Sequence, residues 1–427
     1  MAMDGTEAGS ADRVGSVRGS LWRNRAFVLL WSGQTVSSLG AQISSIAYVL
    51  LALALTGSAA DAGWIAGLAG FTSFALRLPA GVLADTRSRL AIVVSADIGR
   101  SVALISLPIA SLTHELSFGH LAVVAVLDAG LGTFFEPAEA AALRHIAPVE
   151  QLQEAAARNQ SRIYIATLLG PTFGGMLFGL GRTLPFLVDA VSYAVSALSL
   201  ALIRQPLNPP TGRRERTSGV RPVRASPAGG LVWVWRQRFV RGAVLWLAGV
   251  MFVFQSIGLV SVVLAKDHGA GPTELGALFS ITSAGGLAGA LAAPRLTARF
   301  AARTVIIAFG WCAALVTPLL CVARSPYLIG AVGAAVFFLG PAANAAIVGH
   351  VLIHAPERLQ GRVNAAIGLI TGAALPAGPL FAGLLLQRAG PVDTITLYTS
   401  FLILLAIGAT CGRGIRTAGT PRTARDA

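Results

Sequence analysis

Asp97, Arg100, Asp128 and Asp189 lie inside stretches otherwise too apolar to hold charge. An ionisable side chain surrounded by hydrocarbon is costly, so where one persists it belongs to an ion path, a proton relay or a paired structural contact. Asp97 and Arg100 stand three residues apart and share a face if their segment is helical, so they can pair, for structure or for transport. From the segment start at Leu90, Asp97 is roughly 10 Å along the axis. Asp128 is about 12 Å from the outer end of its own segment, with no basic neighbour on that segment. It is the leading candidate to take up and release a proton; the alternative is a carboxylate satisfied by a neighbouring serine or glutamine. Asp189 and Glu136 are secondary candidates, each a partner for Arg100, Arg77 or Arg144, whereas Glu139 and Arg144 are expected near the inner surface, solvated. Gln34, Gln42, Asn159, Gln255 and Asn344 offer polar groups to a central cavity, and Phe71, Phe74 and Phe254 offer apolar surface. Each of these also serves as ordinary interhelical packing.

The elements that must position these residues follow from composition. Of 427 residues, 54% are apolar and 12% charged, about half the charge of a soluble domain. Segments of about 20 apolar residues can be placed near 26–53, 62–84, 90–112, 119–143, 160–180, 183–203, 240–265, 274–296, 304–323, 326–353, 363–387 and 391–412. Backbone groups in hydrocarbon must bond within their own segment, and the short alternating strands of a barrel are not in evidence, so the expected fold is an all-α membrane protein of twelve transmembrane helices. The formal net charge of +14 does not point to nucleic acid, because the arginines are gathered between apolar runs and not on a soluble face. Strongly basic connections alternate with connections holding only Arg182, Lys266, Arg324 and Arg388, which places both termini in the cytoplasm. All basic residues except Lys266 are arginine, a composition associated with GC-rich bacterial genomes. Residues 1–22 are polar without a cleavable apolar region, so the first span is expected to be retained. Cys312, Cys321 and Cys411 show no metal spacing and suit packing.

The chain also repeats itself. Pro137-Ala138, Ala147-Pro148 and Leu152-Gln153 return as Pro341-Ala342, Ala355-Pro356 and Leu359-Gln360. Two related halves around a common axis are the mark of a transporter. The expected division is a cytoplasmic tail at 1–25, a six-helix bundle at 26–203, a linker at 204–239, a second six-helix bundle at 240–412 and a cytoplasmic tail at 413–427. The linker is rich in Pro and Arg and ends in LVWVWRQRFVR, where Trp233 and Trp235 beside Arg236, Arg238 and Arg241 suit a helix lying in the headgroup layer, or else one that binds a partner. Glycine pairs at four-residue spacing, such as Gly63 with Gly67 and Gly285 with Gly289, allow helices to approach closely.

Two motifs suggest moving parts. Gly170-Pro171-Thr172-Phe173-Gly174-Gly175 lies within the fifth span, where a proline removes a backbone hydrogen bond and allows a bend. Gly81-Val-Leu-Ala-Asp85-Thr-Arg87-Ser-Arg89 lies between spans two and three. The first resembles the G-P-x-x-G-G signature of exporters in the major facilitator superfamily, and the second resembles that superfamily's G-x-x-x-D-R-x-G-R loop, with Thr86 and Ser88 departing from it. With LWSGQ near residue 30, LPAGVLAD at 78–85 and FFEPA at 134–138, the chain is most similar to the drug:H⁺ antiporter branch that includes macrolide-efflux and enterobactin-exporter-like proteins, over residues 22–412. The resemblance implies two pseudo-symmetric six-helix bundles, a bend at Gly170, Pro171, Gly174 and Gly175, and a cytoplasmic gate at Gly81, Asp85, Arg87 and Arg89; a solvated turn is the plainer reading of that loop. It also implies export of a drug-like compound against protons, the proton gradient standing in place of any cofactor. One departure is that Val126, four residues before Gly130, stands where many such antiporters carry an arginine.

The sequence has no G-x-x-x-x-G-K-[ST] loop, no H-E-x-x-H and no nucleophile elbow, so neither ATP-driven transport, a metal site nor an intramembrane enzyme is expected. The expected partners are a small-molecule substrate and the lipid bilayer, with the chain acting as a monomer. The competing expectations are an importer of a small polar solute and a non-transporting membrane sensor or scaffold.

Overall fold

A computed structural model describes residues 21–203, 228–356 and 359–412. Residues 1–20, the tail from 413 and residues 204–227 of the expected linker lie outside the described residues. The first half contains α1 (Arg25–Thr56), α2 (Ala59–Thr86), α3 (Arg89–Leu112), α4 (Phe118–Ile146), α5 (Leu152–Leu180) and α6 (Leu184–Ala201). The short α7 (Ala228–Arg236) leads into the second half, formed by α8 (Arg238–Asp267), α9 (Pro272–Arg299), α10 (Ala302–Val316), α11 (Pro326–Phe338), α12 (Gly340–His354), α13 (Gln360–Gly372) and α14 (Ala374–Cys411). No strand occurs among the described residues.

Local chemistry sets the helix boundaries. The Asn24 side chain accepts from the Ala26 and Phe27 N–H groups, while Ser58, Ser88 and Ser117 cap α2, α3 and α4 through the N–H groups of Asp61, Ala91 and His120. α1 ends at Gly57, whose φ of 69° is the left-handed conformation that closes a helix cheaply only in glycine. α11 and α12 together form one crossing, interrupted at Leu339 ahead of Pro341. The apolar run Gln360–Cys411 is 52 residues, and at about 1.5 Å per residue it would be far too long for one crossing. It divides at Gly390, where φ is 76°, giving the eleventh and twelfth spans.

α7 packs on α13, with Gly230 so close to the Arg362 carbonyl that no side chain would fit between them. Val234 is buried, whereas Leu231, Val232, Trp235 and Arg236 are exposed. That is the amphipathic pattern of a helix lying along the bilayer surface.

The two halves meet along two seams, α2 against α14 and α5 against α9. Both seams lie toward the side of the molecule away from α1's first residue, here called the far side. Gly63 faces Gly383 so closely that a Cβ on it would lie 3.0 Å from the Gly383 Cα, and a Cβ on Gly276 would lie 3.0 Å from the Thr172 Cα. The Thr172 hydroxyl donates to Ser280 Oγ at 2.7 Å across the second seam. The apolar core follows the same division. One cluster joins far-side residues of the first half, such as Leu50, Leu104 and Phe186, to Phe254, Phe309 and Tyr398 of the second. A separate cluster around Phe27, Val93, Phe135 and Leu200 belongs to the first half alone, at the opposite side, called the terminal side.

Candidate transport site

The first half carries a buried polar array on α1, α3, α4, α5 and α6. On α6, Asp189, Ser192, Ser196 and Ser199 recur at helical spacing and form one polar stripe, which faces Gly33, Gln34, Gly40 and Ser44 of α1. Glycines at 33 and 40 are required here, because a Cβ on Gly40 would lie 2.5 Å from Asp189 Oδ1 and one on Gly33 would lie 3.0 Å from Ser199 Cβ. Asp189 is fully buried and accepts from Ser44 Oγ at 2.5 Å and from Ser192 Oγ at 3.1 Å. Its expected arginine partner is thus replaced by two hydroxyls.

Asp97 and Arg100 do not pair with each other. Asp97, also fully buried, accepts from Ser196 Oγ at 2.6 Å, and its other oxygen has no partner among the described residues. The Arg100 guanidinium instead donates through Nε to Asp128 Oδ1 at 2.7 Å. Three residues of helix place Asp97 and Arg100 on adjoining but distinct sectors, and α6 and α4 fill them separately. Asp128 is therefore not isolated as its own helix suggested. Its partner comes from α3, and Tyr48 of α1 donates to its second oxygen at 3.2 Å. Arg100 also sits 4.0 Å from the centre of the Tyr193 ring, a cation–π contact that steadies the guanidinium from below.

A second buried pair lies nearer the terminal side. Arg162 of α5, 2% exposed, donates to Glu139 Oε1 at 2.8 Å and to Gln34 Oε1 at 3.3 Å, and Gln34 donates to Ser196 Oγ at 2.9 Å. Glu139, expected to be solvated, is thus a partner in a chain running Glu139–Arg162–Gln34–Ser196–Asp97, while Arg144 is exposed as expected. The sequence reading missed Arg162, Tyr48, Tyr193 and the serines. The α6 serine stripe was a legible signal; Arg162 was not, because it follows a polar segment and reads as part of it.

These groups border connected cavities. One, about 300 Å³, is lined by Ser73, Phe74, Arg77, Arg100, Asp128, Thr133, Glu136 and Leu375. A neighbour of about 250 Å³ adds Gln34, Gln42, Glu139 and Arg162 and shares Arg100, Gly132 and Glu136 with it. Across the chain axis a cavity of about 460 Å³ is formed by Met251, Phe254, Gln255, Phe337, Asn344, Thr371 and others, and includes Arg77. A fourth, about 310 Å³, lies on the seam between Gln42, Thr167 and Pro171 of one half and Gln255, Phe279 and Ser283 of the other. Gln34, Gln42, Phe74, Phe254, Gln255 and Asn344 thus border the central space. Phe71 is 59% exposed and Asn159 half-buried, and neither borders these cavities.

The glycine–proline motif of α5 serves two neighbours. Gly170 and Gly174 admit α1 at Gln42 and Ile43, and Gly175 admits Pro272 and Gly276 of α9, while α5 continues as one helix through Pro171. In the loop motif, Gly81 opens on free space, Arg87 is exposed and Arg89 begins α3 with its Nε buried and without a partner among the described residues. The Asp85 side chain lies outside the described residues. No grouping of His, Cys, Asp and Glu suited to a metal occurs among the described residues.

Paired charges inside long apolar helices, around cavities shared by two halves, are the architecture of a carrier. The sequence profile of the Major Facilitator Superfamily matches residues 30–263. The chain belongs to this superfamily. Among curated relatives, the multidrug efflux pump Tap of Mycolicibacterium fortuitum is 28% identical over 91% of this chain and 95% of its own. Macrolide efflux protein A of Streptococcus pyogenes is 28% identical over 42% of this chain and 45% of its own. Among solved structures, a bacterial homologue of the human lysosomal transporter Spinster, inward-facing and occupied, superposes with a TM-score of 0.72 at 16% identity, covering 94% of this chain and 99% of its own. A bacterial homologue of the iron transporter ferroportin, inward-facing, gives 0.69 at 17% identity, covering 91% and 98%. The protein is thus a multi-pass membrane transporter of the superfamily fold, with twelve spans in two pseudo-symmetric bundles.

Proposed function

We propose that this transporter resides in a bacterial inner membrane with both termini in the cytoplasm and works as a monomer, exporting amphipathic drug-like or secreted compounds in exchange for protons. The observation that carries the reading is the Asp128–Arg100 pair, set in the membrane-spanning part of the first half and bordering the central cavity. A carboxylate that must lose its guanidinium partner to become neutral links proton uptake to a rearrangement of charge. The efflux activities named for the relatives agree with the direction. Asp97 and Asp189, each held by hydroxyls alone, are further candidates for carrying a proton. On this reading the seams close the outer side and the cavities face the cytoplasm. Gly170, Pro171, Gly174 and Gly175 allow α5 to bend as the halves rock, and Gly81, Asp85, Arg87 and Arg89 latch the cytoplasmic side.

The test uses inside-out membrane vesicles with an acidic lumen and three dyes, ethidium, rhodamine 6G and N-phenylnaphthylamine. The expected result is dye uptake that collapses when the gradient is dissipated and is lost in Asp128→Asn at equal membrane abundance. Gradient-driven uptake undiminished in Asp128→Asn would remove the assigned proton site, and failure of the wild-type protein to move any of the three dyes would remove the export reading.

A further inference from the structure

Arg100 does not merely touch Asp128. Its guanidinium lies flat on α4 at Gly132, where a built Cβ would stand 3.4 Å from Cζ. Gly132 is one helical turn from Asp128 and one turn from Glu136, about 6 Å along the axis in each direction. The guanidinium therefore rests on a bare turn midway between two carboxylates, bonded to one of them. Glu136 is exposed to the cavity, borders the same two spaces as Arg100, and has no partner among the described residues.

The other charged and titratable groups around the guanidinium are committed elsewhere. Asp189 is held by Ser44 and Ser192, Glu139 by Arg162, and Asp97 by Ser196. Tyr48 donates to Asp128, Tyr193 lies under the guanidinium, and Arg77 brings a second positive charge to the cavity wall. Of the carboxylates bordering these cavities, Glu136 alone is left uncommitted among the described residues.

We propose that Glu136 receives the positively charged group of an amphipathic cation, and that Arg100 slides over Gly132 from Asp128 to Glu136 to displace it. This rests on the proton-exchange reading above and adds the substrate's charge and the means of release. The balance closes. A proton reaching Asp128 forms an O–H bond and neutralises the carboxylate, Arg100 loses that partner and pairs with Glu136, and the bound cation leaves. One positive charge enters the site and one departs, so the cluster's net charge is unchanged. A small residue at position 132 keeps the path open, since a bare β-carbon there would just touch the guanidinium and a branched side chain would stand in its way. The apolar remainder of the compound would lie against Phe254 and Phe337, whose rings stack 4.9 Å apart on the opposite wall.

The test compares ethidium, a permanent cation, with the neutral N-phenylnaphthylamine, using equilibrium binding to purified full-length protein and uptake into acid-loaded inside-out vesicles. In Glu136→Gln, ethidium affinity should fall by tenfold or more while gradient-driven uptake of the neutral dye persists, and Glu136→Asp should recover part of the ethidium binding. In Gly132→Val, ethidium should still bind while its uptake falls at least tenfold. Ethidium bound equally well by Glu136→Gln and wild type would overturn the proposal, as would undiminished ethidium uptake by a well-folded Gly132→Val. Persistent neutral-dye transport in Glu136→Gln distinguishes failure here from failure of the proton site, because Asp128→Asn is expected to stop both dyes.

Discussion

The two halves share a fold and divide the chemistry. In the first half, Asp97, Arg162 and Asp189 are buried and all three ion pairs among the described residues are found there. The buried polar groups of the second half are neutral hydroxyls such as Ser256, Ser261, Thr394 and Thr399, and its described carboxylates, Asp267, Glu274 and Asp393, stand at or beside helix ends or turns. Its cavity wall carries no charge of its own, setting Met251, Phe254 and Phe337 beside the neutral Gln255, Asn344 and Thr371. A duplicated scaffold can thus keep one helical framework in both copies while confining buried charge to one of them, a division that the function proposed above would use to separate proton exchange from apolar recognition.

The sharpest way to break this comparison is to fasten the halves together. Thr172 Oγ1 and Ser280 Oγ are 2.7 Å apart, so Thr172→Cys/Ser280→Cys, in a background lacking Cys312, Cys321 and Cys411, should form a disulfide on oxidation. Dye uptake should then fall at least tenfold and return with reductant. Full uptake by the cross-linked protein would mean the seam never opens.

Next in size, Arg162→Met removes one member of a buried pair and should cost about 3–5 kcal/mol of stability, read as lowered thermal unfolding in detergent. The double variant Arg162→Met/Glu139→Gln should recover a large part, because no uncompensated carboxylate remains. An unchanged unfolding temperature in the single variant would show that the first half does not depend on its charges.

Smaller effects belong to the second half. Phe254→Ala removes a ring stacked on Phe337 at 4.9 Å and edge-on to Phe309 at 5.6 Å, and dye affinity should drop several-fold in step with the apolarity of the dye, with little change in proton coupling. The smallest change is expected from Thr399→Val. The Thr399 hydroxyl has no partner among the described residues, so an isosteric apolar side chain should leave stability within about 0.5 kcal/mol or raise it.

Much of the scaffold was legible because a helix in hydrocarbon must be long, apolar and internally bonded, which left little choice for α1 to α6 and α8 to α10. The division at Gly390 was legible too, since the spans expected at 363–387 and 391–412 leave only residues 388–390 between them. The interruptions at Leu339 and Ala373 were not, because each falls inside a single apolar run that is long enough for one crossing. Asp128 could be singled out by its depth alone. Its partner could not, because Arg100 belongs to another helix and its pairing depends on rotation about both axes. Within one helix, i to i+3 spacing made Asp97 the obvious mate for Arg100, yet Asp97 turns to the Ser196 hydroxyl on α6 instead.

The seams between the halves lay backbone against backbone at Gly63, Gly276 and Gly383, seat the Leu380 side chain in the notch at Gly67 and join the Thr172 and Ser280 hydroxyls. At the three backbone contacts no β-carbon has to pass another as the faces part, which leaves Leu380 as the side chain to be withdrawn. Moving a two-state protein from 1:99 to 99:1 takes about 5.5 kcal/mol of differential binding. On the proton exchange proposed above, that differential has to come from the charges redistributed at Arg100, since the glycine faces themselves favour neither arrangement by interlocking.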